Sequence, residues 1–361
     1  MSDGIRAMVQ TAPGTLALRR FPRPRIGEDD ALLRVEACGI CGTDAEVFDG
    51  SIPLDAPVIP GHEPVGRIEA IGPRMAERWQ IAVGDRVVVQ SDFGCGRCSN
   101  CFEQRRCRVA PGVYGFMPID ASPSLWGGYA EMLYLAPGAV VHKIDRRIPA
   151  RIAALYNPLG AGFAWAVEAP NLRLGQSIAI FGPGQRGLAC VLAAKRAGAA
   201  KIFVTGLGSK DGAKLGLAKT LGADVVIDVE QEDAVRRIEA ETNGDGVDVT
   251  VDTTPHATKP VVDAVWSTRP GGTIVLAGIK GRGRGVPDFP SDEVAMRFQT
   301  IRGVRAVDYR SFRQAIRLLE SEDPLVPQLH THHFPLEAAA DAVRALTGAS
   351  DRPAISITIE P

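Results

Sequence analysis

Residues 177–198 read SIAIFGPGQRGLACVLAAKRAG, and this stretch decides the fold. SIAIF is a short apolar run of the kind that forms a buried strand, and LACVLAAKRAG reads as a helix packed along one side. Between them FGPGQRG sets Gly182, Gly184 and Gly187 at the spacing G-x-G-x-x-G. Such glycines let the backbone turn tightly and approach a pyrophosphate at the positive end of the following helix. The spacing alone also fits a tight turn that binds nothing. A strand before, a helix after and a second strand about 20 residues on favour a dinucleotide, NAD or NADP.

That second strand, KIFVTGL (201–207), should end in Asp or Glu if it gripped the ribose of NAD in the usual way, yet it ends in Gly206. A longer loop with Ser209, Lys210 and Asp211 is expected to follow. Asp211 could reach the ribose, Ser209 and Lys210 could hold the extra phosphate of NADP, and all three also read as solvated loop residues. The sequence leaves NAD and NADP both open.

Downstream, ADVVIDV, VDVTVDTT and GGTIVLAG continue the strands, with AKLGLAKTLG and AVRRIEAETNG as helices between them. Strands alternating with helices predict a doubly wound parallel sheet with right-handed crossovers over 159–294, its last strand ending near Gly278. GIKGRGRGVP reads as a mobile loop, and SFRQAIRLLES and LEAAADAVRALTG as two late helices. The final PAISITIE is a strand that must pair, and we expect residues 295–361 to return to the first domain. Upstream, ALLRVEA, GRIEAIG and DRVVVQ are short β-branched stretches among Gly and Pro, so residues 1–158 read as an all-β domain.

The chain has 361 residues, more than one compact core usually holds, which agrees with two domains. Its net charge is −1, with Lys and Arg spread throughout, so a nucleic-acid or membrane-surface partner is not expected and a small molecule fits better. MSDGIRAMVQ lacks the apolar core of a secretory signal, and no uninterrupted apolar run approaches about 18 residues. We expect a cytoplasmic protein.

Four of the seven cysteines, Cys95, Cys98, Cys101 and Cys107, fall in CGRCSNCFEQRRC. Four thiolates this close can surround one zinc, and a closed set leaves no open position for chemistry, so this zinc would be structural. EACGICGTD holds Cys38 and Cys41, a C-x-x-C that alone could be a redox pair, although such pairs belong near a βαβ unit of another fold. Twenty-one residues after Cys41, IPGHEPVG supplies His62 and Glu63. Cys, His and carboxylate are the donors of catalytic zinc, where three protein ligands leave one place open.

CGICGTD, Gly-His-Glu at 61–63, the four-cysteine run and FGPGQRG together resemble the zinc-containing medium-chain dehydrogenase/reductase family, over essentially the whole chain and nearest to its polyol, threonine and sugar branches. The resemblance implies an α/β protein: a GroES-like β-rich catalytic domain with a structural zinc loop at 95–107, split around a Rossmann domain. It implies a homodimer or homotetramer and reversible oxidation of a secondary alcohol by NAD(P). Cys41 and His62 match zinc ligands, Glu63 the carboxylate beside them, and Cys38 a position that is not a ligand. Thr43 matches the hydroxyl that touches the substrate oxygen, and Asp44 a residue that orients the site. Phe48, Phe116 and Trp126 lie near segments that line the substrate cleft in look-alikes, and equally read as core.

Three departures stand out. The four-cysteine run is shorter by two residues before its last cysteine, and Glu46 stands where several branches have a proton-passing histidine. Asn157 replaces a Glu in LYNPLGAG, where it also reads as the cap of a helix that Pro158 begins. Two other readings remain: a zinc-independent reductase of the same superfamily, and a zinc- and nucleotide-binding protein without turnover.

Overall fold

A computed structural model describes residues 4–103, 107–281, 283–348 and 353–361. The chain divides into two compact units, one of residues 1–157 with 316–361 and the other of residues 158–315. Among the described residues no helix is long and apolar enough to cross a membrane.

The first unit is built on a seven-stranded sheet. Ala31–Gly39 runs through its middle, antiparallel to Glu63–Ile71, Met132–Leu135 and the C-terminal strand Ser356–Glu360. Ile357 and Ile359 are fully buried there. The return of PAISITIE to the N-terminal region is therefore observed: Ile359 pairs with Cys38, and the strand's other edge takes His330–Pro335 in parallel. The region is not wholly β, because the helices Gly42–Asp49 and Pro73–Trp79 interrupt the strands. The core under the sheet gathers Leu32, Leu33, Ile68, Met75, Tyr114 and Tyr129, all fully buried.

The second unit holds a six-stranded parallel sheet in the order Val225–Asp228, Lys201–Gly206, Ser177–Phe181, Val247–Asp252, Thr268–Leu276, Thr300–Gly303. The chain order reverses between Ser177–Phe181 and Val247–Asp252. In open α/β sheets that switch point is where ligands bind, beyond the carboxyl ends of the strands.

Two expectations are corrected. The sheet does not end near Gly278, and the return to the first unit begins at Ile316 rather than 295. Residues 300–303 add a sixth strand to the parallel sheet, its Thr300 and Ile301 paired with Thr273 and Ile274. TIRG carries a single apolar side chain, so no buried-strand pattern marks it. The loop reading of GIKGRGRGVP includes Arg282, and the four-cysteine run includes residues 104–106; these positions lie outside the described residues.

Candidate metal and dinucleotide sites

In the first unit, antiparallel pairing places Gly39 opposite Glu63. A Cβ on Gly39 would stand 2.6 Å from Glu63 Oε2, so the glycine leaves the room that the buried carboxylate fills. Two residues on, the chain turns into the helix Gly42–Asp49 with Cys41 as its N-cap, and the Cys41 amide donates to Asp44 Oδ2 at 2.8 Å. That capping bond fixes the thiol at the end of the strand. One donor atom from each of Cys41, His62 and Glu63 lies within 4.8 Å of the others, and all three residues are buried.

Asp44 does a second job. Its Oδ1 stands 3.4 Å from His62 Nδ1, while His62 Nε2 faces Glu63 Oε1 at 3.9 Å. A carboxylate behind one ring nitrogen is how a histidine ligand is commonly oriented, leaving the other for a metal. Burial on its own would depress the His62 pKa; the Asp44 charge and the Cys41 thiol outweigh it and hold the ring well above its usual value. The pocket thus favours positive charge on buried groups of donor type, and this chemistry fits a divalent cation.

Thr43 is half-buried with Oγ1 3.7 Å from Cys41 Sγ. Glu46 lies half-buried further along the same helix, outside the three-donor group. Phe116 stacks at a tilt 5.9 Å from the His62 ring, whereas Trp126 and Phe48 belong to the core, Trp126 packed on Phe93 and Tyr134. Asn157 is 3% exposed. It lies inside the first turn of the helix Tyr156–Phe163, so the expected cap position is corrected by one turn start: the helix begins before Pro158, not at it. Its side chain meets the hydroxyl of Tyr156, which itself donates to the Val89 carbonyl at 2.6 Å. Burial first, then the nearby Glu63 charge, pushes the Tyr156 pKa well up.

The four-cysteine loop closes on itself. Cys98 Sγ lies 3.5 Å from Cys101 and 3.9 Å from Cys107, and Cys95 lies 3.9 Å from Cys101. These separations are far beyond a disulfide bond, and four sulfurs set tetrahedrally at about 2.3 Å from zinc would be about 3.8 Å apart. Amides of Ala110 and Cys95, each 3.3 Å from Cys107 Sγ, pull that thiol down to about 6, while burial pushes Cys101 up to about 11.

In the second unit the three glycines of the loop have three different steric surroundings. Gly182 turns at φ 98°. Gly184 opens the helix Gln185–Arg196 with nothing within 4 Å of a notional Cβ, so a ligand's backbone approach is clear. A Cβ on Gly187 would overlap the Gly182 carbonyl, so that glycine permits the helix to pack on the turn. Thr253, just past the strand Val247–Asp252, ties the loop down by donating to the Phe181 and Gly182 carbonyls at 2.9 and 3.0 Å.

Ser209, Lys210 and Asp211 do not form a long loop. They sit in the first turn of the helix Gly208–Leu221, which starts one residue after the strand ends because carboxylates from outside the helix satisfy its first amides. The residues supplying those carboxylates, Asp228 and Glu230, were not singled out from the sequence. The signal was an Asp at the end of ADVVIDV, in the third strand of the sheet rather than the second.

Comparison with known proteins agrees with this geometry. Residues 27–146 match the family model of the alcohol dehydrogenase GroES-like domain, and residues 187–321 that of the zinc-binding dehydrogenase. The Mycobacterium tuberculosis (strain ATCC 25618 / H37Rv) protein named "Probable alcohol dehydrogenase adh" is 44% identical over 358 residues, covering 97% of each chain. The erythritol/L-threitol dehydrogenase of Mycolicibacterium smegmatis is 31% identical over 346 residues, covering 92% of each. Among solved structures, the alcohol dehydrogenase TADH from Thermus sp. ATN1 superposes with a TM-score of 0.85 at 28% identity, covering 98% of this chain and 99% of its own. The chain belongs to the zinc-containing medium-chain dehydrogenase/reductase family. It is an oxidoreductase of the alcohol dehydrogenase type.

Proposed function

We propose that the protein is a zinc-dependent dehydrogenase that moves a hydride between a secondary alcohol, such as a polyol, a sugar or a hydroxylated aromatic, and NAD(P). The observation that carries this reading is the buried convergence of Cys41, His62 and Glu63, with donor atoms within 4.8 Å. A zinc held there would supply the Lewis acidity that lowers an alcohol's pKa, and a bound nicotinamide would supply the hydride-accepting chemistry.

The chain's own residues do the rest. Cys41 and His62 hold the metal, Glu63 stands by as a further donor, and Asp44 keeps the imidazole turned toward it. Thr43 Oγ1 receives the alcohol proton. Glu46, half-buried further along the same helix, is the next group from which that proton would be passed toward solvent. Asn157 offers an amide to the substrate in place of a charged ligand. Gly182, Gly184 and Gly187 seat the pyrophosphate, with Ser209, Lys210 and Asp211 near the ribose. Cys95, Cys98, Cys101 and Cys107 hold a second, structural zinc. A homodimer or homotetramer is proposed, which an open sheet edge at Thr300–Gly303, exposed at all four residues, supports.

Metal analysis of the purified chain, combined with an alcohol and sugar panel assayed with NAD and NADP, tests the reading. Two zincs per chain, one for each donor group, and alcohol-dependent reduction of the cofactor are expected. One zinc with no turnover on any alcohol would overturn it.

A further inference from the structure

The end of the strand Lys201–Gly206 is closed to an acidic side chain. A Cβ on Gly206 would stand 2.8 Å from Pro183 Cγ, in the glycine loop, and 3.0 Å from Leu215 Cδ2. The position from which a carboxylate ordinarily grips the ribose is thus taken up by the loop itself. Carboxylates arrive instead from the neighbouring parallel strand, whose last residue, Asp228, pairs with Gly206.

Asp228 Oδ1 accepts the amides of Gly208 at 2.8 Å and of Glu230 at 3.0 Å. Its other oxygen fills the space that a Cβ on Gly208 would need. Glu230 then accepts the Ser209 amide on Oε2 at 2.7 Å and the Ser209 hydroxyl on Oε1 at 2.8 Å. Asp211 adds a third carboxylate, shared between the Leu207 amide at 3.3 Å and Lys214 Nζ at 3.0 Å. The first amides of the helix Gly208–Leu221, which would otherwise welcome an anion, are occupied by the protein's own negative groups.

We propose that Glu230, held over the start of this helix by Ser209 and Asp228, excludes a 2′-phosphate and makes the site take NAD in preference to NADP. The inference rests on the reading of the glycine loop as a dinucleotide site. A phosphate monoester carries close to two negative charges at neutral pH. To reach Ser209 it must displace Glu230 and stand beside Asp228 and Asp211, and like charges so placed reject the wrong partner. A 2′-hydroxyl is uncharged and donates to a carboxylate oxygen. Of the two lysines in the first two turns of this helix, Lys214 is engaged by Asp211, and Lys210 is exposed.

Calorimetric titration of the whole protein with NADH and with NADPH reads this without turnover. Wild type should bind NADH roughly tenfold or more tightly than NADPH, and Glu230→Gln and Glu230→Ala should each bring the two affinities together mainly by improving NADPH. Lys210→Ala should leave their ratio unchanged. Equal or tighter binding of NADPH by wild type, a ratio unmoved by both Glu230 variants, or a selective loss of NADPH on removing Lys210 would overturn the proposal while leaving a dinucleotide site in place. Binding of neither dinucleotide would overturn the parent reading and this one with it.

Discussion

Asn157 is where one residue most alters the expected chemistry. Its amide is buried and meets the Tyr156 hydroxyl, in a region that feels the Glu63 charge. A neutral amide is a poor zinc donor beside carboxylate or thiolate, so a metal site that Asn157 lines would carry one negative charge fewer than it would with Glu. Asn157→Glu should therefore tighten zinc binding, by roughly tenfold on the scale of groups that support metal ligands; chelator competition measures it, and unchanged affinity would confine Asn157 to its helix. Cys41→Ser should remove turnover and one zinc while the melting temperature hardly moves, because the thiol caps a short helix and is not what fills the core. Global unfolding of that variant, seen by circular dichroism, would contradict the assignment. Cys41 and His62 stood out in the sequence by donor type and by resemblance, and the structure brings their donor atoms together. The part played by Asp44 as both helix cap and imidazole partner needed the structure, since its two oxygens serve residues on different elements.

At the scale of elements, the four-cysteine loop and the strand His330–Pro335 each carry a measurable consequence. The loop has only Cys107 buried among its four sulfur residues, so a metal bound there would stand in for a core. Cys98→Ser should lower the melting temperature or the soluble yield, and an unchanged melt with full activity would remove the structural-zinc assignment. His330 is different: burial, with Arg151 and the neighbouring histidines behind it, brings its pKa down to about 4. Its ring bonds Thr358 Oγ1 at 3.0 Å across to the C-terminal strand. The unfolded chain protonates near 6.5, before the folded one does, so the stabilisation is complete above that pH and is lost as pH falls from about 6.5 through about 4. Allowing for solvent screening, the loss is of the order of 1–2 kcal/mol. Melting curves at pH 7 and 4.5 should show it, and His330→Gln should flatten the difference. The strands and the cysteine spacing were readable in the sequence because both are local patterns. The strand Thr300–Gly303 was not, because one apolar residue in four gives no period to follow, and only its neighbour Thr268–Leu276 makes it a strand.

For the whole molecule, the chain returns to finish what it began. Ser356–Glu360 lies between Ala31–Gly39 and His330–Pro335, so it is an interior strand of the first unit's sheet although more than 300 residues separate it from Ala31–Gly39. Ile357 and Ile359 are fully buried, and each contributes roughly 1.5–3 kcal/mol by leaving water. Truncation after residue 352 should therefore abolish soluble, cooperatively melting protein, and a truncated chain with a wild-type melt would show that the strand is dispensable. What the sequence by itself determined is whatever a short window can hold: the glycine turn between strand and helix, the four thiols of one loop, the alternation that builds a parallel sheet. Only the tertiary structure decided which distant groups meet. The pairing of Gly39 with Glu63 brings a thiol, an imidazole and a carboxylate together, and the pairing of Gly206 with Asp228 sets carboxylates over the start of a helix. Strand register is fixed by burial along the whole sheet, and a one-residue slip would turn each of these side chains to the opposite face, so no local pattern can announce it.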